Sequence, residues 1–180
     1  DMKQNKDKII QQKQKLIKEN EVELSNRKSK EKELQDENAG LLQSMIDENK
    51  VVERKSKLRT VQQSIKEKHS RGEAMIKFFE ENDDCPTCEQ HIDEDFKSKT
   101  IMNKEKESKE LTDGLGKLSE EMSKVDVKIK DYKTIAKHIR DNEVLIAQTN
   151  TSILELEKFN TKLQTEIDQY TNDGSSKSDT

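Results

Sequence analysis

Cys85-Pro86-Thr87-Cys88 is the one stretch of this chain whose residue types and spacing could do chemistry. Zinc in a structural role takes thiolate and imidazole ligands in a closed tetrahedron. A C-x-x-C turn sets two sulfurs on one ion, and Pro86 stiffens the turn by fixing one φ. Two sulfurs fill half a tetrahedron, and the chain holds no second C-x-x-C. Three readings compete. In the first, two chains share a four-cysteine site, each giving Cys85 and Cys88. In the second, one chain adds His91 and a carboxylate such as Glu89 or Asp93. In the third the pair is a redox dithiol. A thioredoxin-type dithiol sits in a βαβ setting near a helix start, and neither is visible in the pattern. Haem attachment requires His directly after the second Cys, and Glu89 stands there. Two unliganded exposed thiols would be an oxidation liability.

The elements that must position this turn are long helices. Only 28% of the 180 residues are hydrophobic, 3% are aromatic, and 40% are charged. Globular domains run at roughly 45–50% apolar, so one thick core is excluded. Leu, Ile, Val and Phe together make 38 residues, near the level where disorder becomes the default. Against disorder, 34 Lys and Arg nearly balance 38 Asp and Glu, and Pro86 is the single proline. Balanced charge with almost no proline points to thin, exposed helices. No run approaches 18 apolar residues, so no membrane span is expected. The opening DMKQNKDKII has no apolar core of a signal peptide. The first residue, Asp1, reads as the start of an excised segment. Two cysteines form no disulfide framework, and a reducing, cytoplasmic setting is the simpler expectation.

Periodicity divides the chain. Leu111, Leu115, Leu118, Met122, Val125, Ile129, Tyr132, Ala136 and Ile139 step alternately by four and three, a heptad pattern. The frame continues through Glu143, Ile146, Asn150 and Ile153, then slips by three residues and resumes at Leu156, Leu163, Ile167 and Tyr170. Ile10, Ile17 and Leu24 are seven apart, as are Leu34 and Leu41, and Val51, Leu58 and Ile65. SNRKSKEKE, between Leu24 and Leu34, has no apolar residue and should be the loosest part of the coil. Residues 80–95, EENDDCPTCEQHIDED, break the period with turn formers. The expected organisation is an ascending arm at 1–80, a loop at 81–94, a descending arm at 95–171 and a flexible Gly/Ser-rich tail at 172–180. The fold class is all-α: a long antiparallel intramolecular coiled-coil hairpin with the C-x-x-C loop at its apex.

If the chain turns between Pro86 and Thr87, facing residue numbers sum to 173. Ile10 then meets Leu163, Ile17 meets Leu156, and Leu34 meets Ile139. Leu41 meets Tyr132, Val51 meets Met122, and Leu58 meets Leu115. Leu24, opposite Thr149, and Ile65, opposite Ser108, do not match. A parallel dimer would have to run a helix through Pro86, at a cost of about 3 kcal/mol.

The loop is acidic. Residues 80–95 hold eight carboxylates and no Lys or Arg. Two such loops repel, so joining them should require metal and be promoted by salt. The carboxylates are also expected to raise the thiol pKa values. Asp93 or Asp95 should cap the following helix.

A long antiparallel coiled coil with C-P-x-C at its turn resembles the zinc hook of the SMC-like ATPase subunit of the double-strand-break repair nuclease complex. CPTCEQHI is also similar to the bacteriophage branch of that family. The resemblance covers the turn closely and the arms by architecture alone. It implies that two hooks meet tip to tip on one Zn²⁺, held by Cys85 and Cys88 of each chain, with Pro86 as the knuckle residue. It implies one zinc per two chains and a homodimer through the hook. It further implies a role in DNA recombination and repair beside a nuclease subunit and DNA, with the ATPase heads outside this segment, which is itself no enzyme. Many members have Gly after the second Cys, where this chain has Glu89, and His91 has no family role. The alternatives are a generic coiled-coil tether or parallel dimer with incidental cysteines, and a monomeric zinc-stabilised rod that binds a partner.

Three further stretches carry weaker signals. Gly114-Leu115-Gly116-Lys117 lacks the earlier Gly and the following Ser or Thr of a phosphate loop. Its glycines and Gly72 read as soft points in the arms. Lys3, Lys6, Lys8, Lys13, Lys15 and Lys18 form a basic stripe that reads as a solvated face rather than a nucleic-acid site. His69 and His138 read as surface residues, and Met45, Met122 and Tyr132 as packing.

Overall fold

The computed structural model describes residues 1–175 and is all-helical, with no named strand among them. Helix α1 spans Met2–Ser44, α2 spans Glu48–Glu81 and α3 spans Glu94–Ser175. Residues 172–175 of the expected tail are still in α3, and the rest of that tail lies outside the described residues. Exposed faces carry the short-range pairs that favour helix, such as Glu23 with Arg27 and Lys77 with Glu81.

The described residues form two compact units, residues 1–45 with those from 135 onward, and residues 46–134. In the first unit α1 packs against the later part of α3. Four cross-helix contacts fix their register: Lys13 with Glu166, Asn20 with Asn160, Arg27 with Ser152, and Asn142 with Asn38. The residue numbers of each pair sum to 179 or 180, so the two helices run antiparallel. The second unit repeats the rule. Lys55 with Asp126, Glu73 with Ser108, and Asp83 with Lys97 sum to 180 or 181. Pairs on the flanks of the seam scatter around that value, from His138 with Glu37 to Lys28 with Glu157.

The observed sum lies one heptad from the 173 expected from the loop centre. The shift matches the two leucine and isoleucine positions that the other sum left unpaired. Leu24 now stands opposite Leu156, and Ile65 opposite Leu115, while Ile17 meets Leu163 and Leu58 meets Met122. The backbone pairs inside the loop, Cys85 with Gln90 and Ile92 with Asp83, sum to 175, five below the helices. The loop is therefore not centred on the helix register. A heptad pattern slid by seven residues still matches itself at most positions, so only Leu24 and Ile65 separate 173 from 180 by apolar spacing.

The phase slip in α3 also moves. Half-buried or buried positions include 139, 142, 146, 149, 153, 156, 160, 163, 167 and 170, alternating three and four, with 152, 157 and 166 half-buried beside them. Asn142 and Thr149 occupy the seam, while Glu143 and Asn150 are exposed. The slip thus falls at Ile139–Asn142 and not between Ile153 and Leu156. The first arm has its own irregularity. α1 ends at Ser44, whose hydroxyl donates to the Leu41 carbonyl at 2.6 Å, and Met45 N–H bonds back to Leu42 at 3.1 Å in a tight turn. The single helix expected over 1–80 is therefore two. Here seam positions 45, 48 and 51 are separated by three and three, short of a heptad. Helices run unbroken through Gly72, Gly114 and Gly116, and a methyl at any of them would meet nothing within 4 Å. The glycines mark no break.

Burial is thin throughout. Leu24, Leu34, Ile139, Ile153, Leu163 and Ile167 are buried in the first unit, and Ile76 and Val125 in the second, at 5–9% exposure. The stretch around Arg27 is not loose. Its seam positions, Arg27 and Glu31, remain helical, and the Arg27 guanidinium donates to the Ser152 hydroxyl at 2.6 Å and to the Ser152 carbonyl at 3.3 Å. His69 is a half-buried seam residue beside Glu73. His138 lies on the surface and pairs with Glu37 at 2.8 Å.

Two measurements check this packing. Leu34→Ala should lower stability by about 2 kcal/mol, the low end of a core truncation because the seam is thin. Val127→Ala, 60% exposed, should change it by less than about 0.5 kcal/mol in the same urea denaturation. The second concerns pH. The Lys13 ammonium hydrogen-bonds Glu166 and holds its carboxyl below the ordinary value. A carboxyl lowered on folding contributes stability above its unfolded pKa and loses it as pH falls through the folded one. Wild type should therefore melt higher than Glu166→Gln at pH 6–8, and that gap should close below about pH 4. A gap independent of pH would show the pair to be without effect.

Candidate metal-binding turn

The loop is built from both helix ends inward. α2 stops at Glu81, and Asn82 turns extended, its side-chain amide donating to the Phe78 carbonyl at 2.8 Å. On the other side Asp93 caps α3: its Oδ2 accepts the Phe96 N–H at 3.2 Å. Asp93 thus takes the capping role that the sequence left between it and Asp95. Glu94 and Asp95 follow in the first turn, where the helix dipole favours carboxylates. Phe79 stacks edge-on against Phe78 at 5.4 Å and Phe96 at 6.0 Å, joining the two helix ends below the loop.

Between those ends the strands of the loop pair briefly. Asp84 and His91 form an isolated antiparallel bridge. Ile92 N–H donates to Asp83 carbonyl at 2.9 Å, and Cys85 N–H to Gln90 carbonyl at 2.8 Å. The chain then closes over Cys85: Glu89 N–H donates to its carbonyl at 2.8 Å. That closure puts Glu89 at φ 61°, the only non-glycine residue with positive φ among the described residues. A left-handed L-residue costs roughly 1–2 kcal/mol. A conformation that glycine adopts without steric cost is therefore held here by Glu.

Cys85 is half-buried and Cys88 exposed, and both are free thiols. The Cys88 backbone N–H donates to the Cys85 sulfur and holds its thiol below the ordinary value, with the Thr87 N–H adding to the effect. This reverses the expectation that the surrounding carboxylates would raise it. Local hydrogen bonds to the sulfur outweigh distant carboxylates in an exposed, high-dielectric loop. The turn thus stabilises the thiolate form that a metal requires.

Two of the remaining proposed ligands, His91 and Asp93, are engaged elsewhere. His91 Nδ1 lies 3.1 Å from Asp84 Oδ1, and Asp93 is engaged in capping. Among the described residues no group of three or more His, Cys, Asp and Glu is placed to hold a metal. One chain therefore brings together Cys85 and Cys88 but not the third and fourth ligands of a one-chain site.

Lys97 is a residue the sequence reading passed over. Its ammonium donates to Asp83 Oδ1 at 2.9 Å and to the Asn82 carbonyl at 3.1 Å, and lowers the Asp83 carboxyl. Counting charges only over 80–95 missed it by two residues, although it lies one turn beyond the Asp93 cap and faces the loop. It offsets one of the eight carboxylates.

The other motifs hold no site. Gly114–Lys117 lies inside α3, where no N–H is free to cradle a phosphate. Of the basic stripe, Lys13 is committed to Glu166, and Lys3, Lys8, Lys15 and Lys18 stand exposed on α1. No described helix is long and apolar enough to cross a membrane. Compared with known protein families, curated proteins and solved structures, the chain matches none.

The strain at Glu89 is testable. Glu89→Gly should stabilise the loop by about 1 kcal/mol and slow hydrogen exchange at the Glu89 and Ile92 amides. Glu89→Val, branched at a left-handed position, should do the opposite.

Proposed function

We propose that this segment is the zinc-hook portion of an antiparallel coiled-coil hairpin, and that it joins two chains tip to tip through one shared zinc. The observation that carries this reading is the Cys85–Glu89 turn. The Glu89 N–H closes this turn on the Cys85 carbonyl at 2.8 Å, setting the two cysteines on one short loop, and among the described residues no group of three or more His, Cys, Asp and Glu is placed to hold a metal. Half a tetrahedral site calls for a second half, and a second copy offers the same two thiols. Zinc, when bound, would cross-link four thiolates and leave the site at about −2. The chain's own part is to hold Cys85 and Cys88 on one short turn, to stabilise the thiolate, and to keep Pro86 from unwinding it.

The function that follows is mechanical and not enzymatic. By its resemblance to the repair-ATPase family, the hook would tether recombination and repair complexes on DNA, with ATPase heads, a nuclease subunit and the DNA contacts supplied by other parts of that assembly. Antiparallel contacts within one chain, in both units, disfavour a parallel dimer with incidental cysteines. The capping use of Asp93 and the Asp84–His91 pair disfavour a monomeric zinc site.

Zinc content and mass together decide the matter. Sedimentation of the zinc-loaded chain should give a dimer with one zinc per two chains. A chelator, or Cys85→Ser with Cys88→Ser, should return it to monomer. Raising salt should tighten the dimer by screening the acidic loops, and lowering pH should dissociate it as protons compete for the thiolates. One zinc per chain on a monomer, or a dimer indifferent to chelator, would refute the shared hook.

A further inference from the structure

The first unit has an unusual seam. Core positions of a heptad are normally apolar. Here α1 places Lys13, Asn20, Arg27, Glu31 and Asn38 among them, and α3 answers with Asn142, Thr149 and Asn160. Asn38 and Asn142 are among the least exposed residues of the chain, at 8% and 4%. The Asn142 amide donates to Asn38 Oδ1 at 2.9 Å, and the Asn38 amide to the Ile139 carbonyl at 3.3 Å. Asn20 donates to Asn160 Oδ1 at 2.8 Å. Both asparagine pairs sum to 180.

Apolar residues do not require that sum. Slid by one heptad, to 173, Ile10 would face Leu163, Ile17 would face Leu156, and Leu34 would face Ile139. In this unit Leu24 is the one apolar residue of the first arm that discriminates, facing Leu156 at 180 and Thr149 at 173, and the polar residues discriminate at more positions. In the slid register Asn142 would face Glu31 and Asn160 would face Lys13, so those two keep polar partners, but Asn38 would face Ile135, Asn20 would face Ile153, and Arg27 would face Ile146. Each of these last three would then bury polar groups with nothing to bond, a penalty larger than the gain from a made hydrogen bond. The displacement between the two registers is about 10 Å along the helix axes.

We infer that the polar seam of the first unit is a register lock: the pairs Asn38–Asn142 and Asn20–Asn160, with Arg27 on Ser152, select one of two registers that the apolar heptads permit. Stability is not what these residues supply, since leucines in their place would pack an apolar seam. They supply uniqueness. A single buried polar residue is known to set register and partner number in coiled coils, and here the device acts between two helices of one chain. The inference does not depend on zinc.

Disulfide trapping tests it. In the full chain carrying Cys85→Ser and Cys88→Ser, two thiol pairs report the registers: Ile17→Cys with Leu163→Cys for 180, and Ile17→Cys with Leu156→Cys for 173. With the native seam, mild oxidation should trap the first pair and at least tenfold less of the second. The five changes Asn20→Leu, Arg27→Leu, Asn38→Leu, Asn142→Leu and Asn160→Leu should raise trapping of the second pair to within about tenfold of the first, with helical circular dichroism retained. If that variant loses its helices, Asn38→Leu with Asn142→Leu alone should still raise the second pair severalfold. Trapping confined to the first pair in every folded variant would overturn the lock. Equal trapping of both pairs with the native seam would overturn it too.

Discussion

A seam that buries one side chain per turn from each helix cannot choose its own register by apolar contact. Every heptad offers nearly the same apolar face as the next, so sliding by seven residues changes little. The structure depends on what breaks that degeneracy. Hydrogen bonds do so here, because the amides of Asn38 and Asn20 have partners at one register and face isoleucines at the next. Asn38–Asn142 and Asn20–Asn160 are those contacts in the first unit. In the second unit the corresponding task falls to half-exposed pairs such as Lys55–Asp126 and Glu73–Ser108, worth less each because solvent competes.

The loop obeys a different economy. Its residues are exposed and its geometry is carried by backbone hydrogen bonds, a capped helix start and three stacked phenylalanines. It keeps Glu89 in a conformation that glycine would adopt at lower cost. Strain retained in a surface loop is a mark of a position whose shape matters more than its stability. The shape in question is the closure over Cys85, made by the Glu89 N–H on its carbonyl. Zinc-hook function is our reading of that shape, and it gives the strain a purpose.

Much was legible in the residues themselves. The C-x-x-C pair, the helical class, the heptads of the second arm and the interrupting loop all follow from residue type and local spacing. The register does not follow from the loop centre at 173, because the loop's backbone pairs sum to 175 and the helix pairs to 180, and the unmatched Leu24 and Ile65 were the signals of that offset in the sequence. The slip was misplaced for a related reason. Asn142 and Thr149 look like surface residues in a sequence, whereas Glu143 and Asn150 fall in the extrapolated frame, and only burial identifies which pair faces inward. The break at Met45 was invisible because no Pro or Gly marks it. A shortened step in the seam and the Ser44 hydroxyl do.

By itself the sequence determined composition-driven properties: thin helices in place of a thick core, an acidic turn, and two sulfurs on one short loop. These depend on residue type and on neighbours within a few positions, which a linear pattern records in full. Tertiary structure decided which polar residue meets which. That choice set the register at 180, turned His91 toward Asp84 and Asp93 toward the helix cap, brought Lys97 back onto the loop, and lowered the Cys85 thiol that the carboxylates alone would have raised. Hydrogen bonds and short-range charge pairs fall off within a few ångströms, so their partners are fixed only once the helices lie side by side.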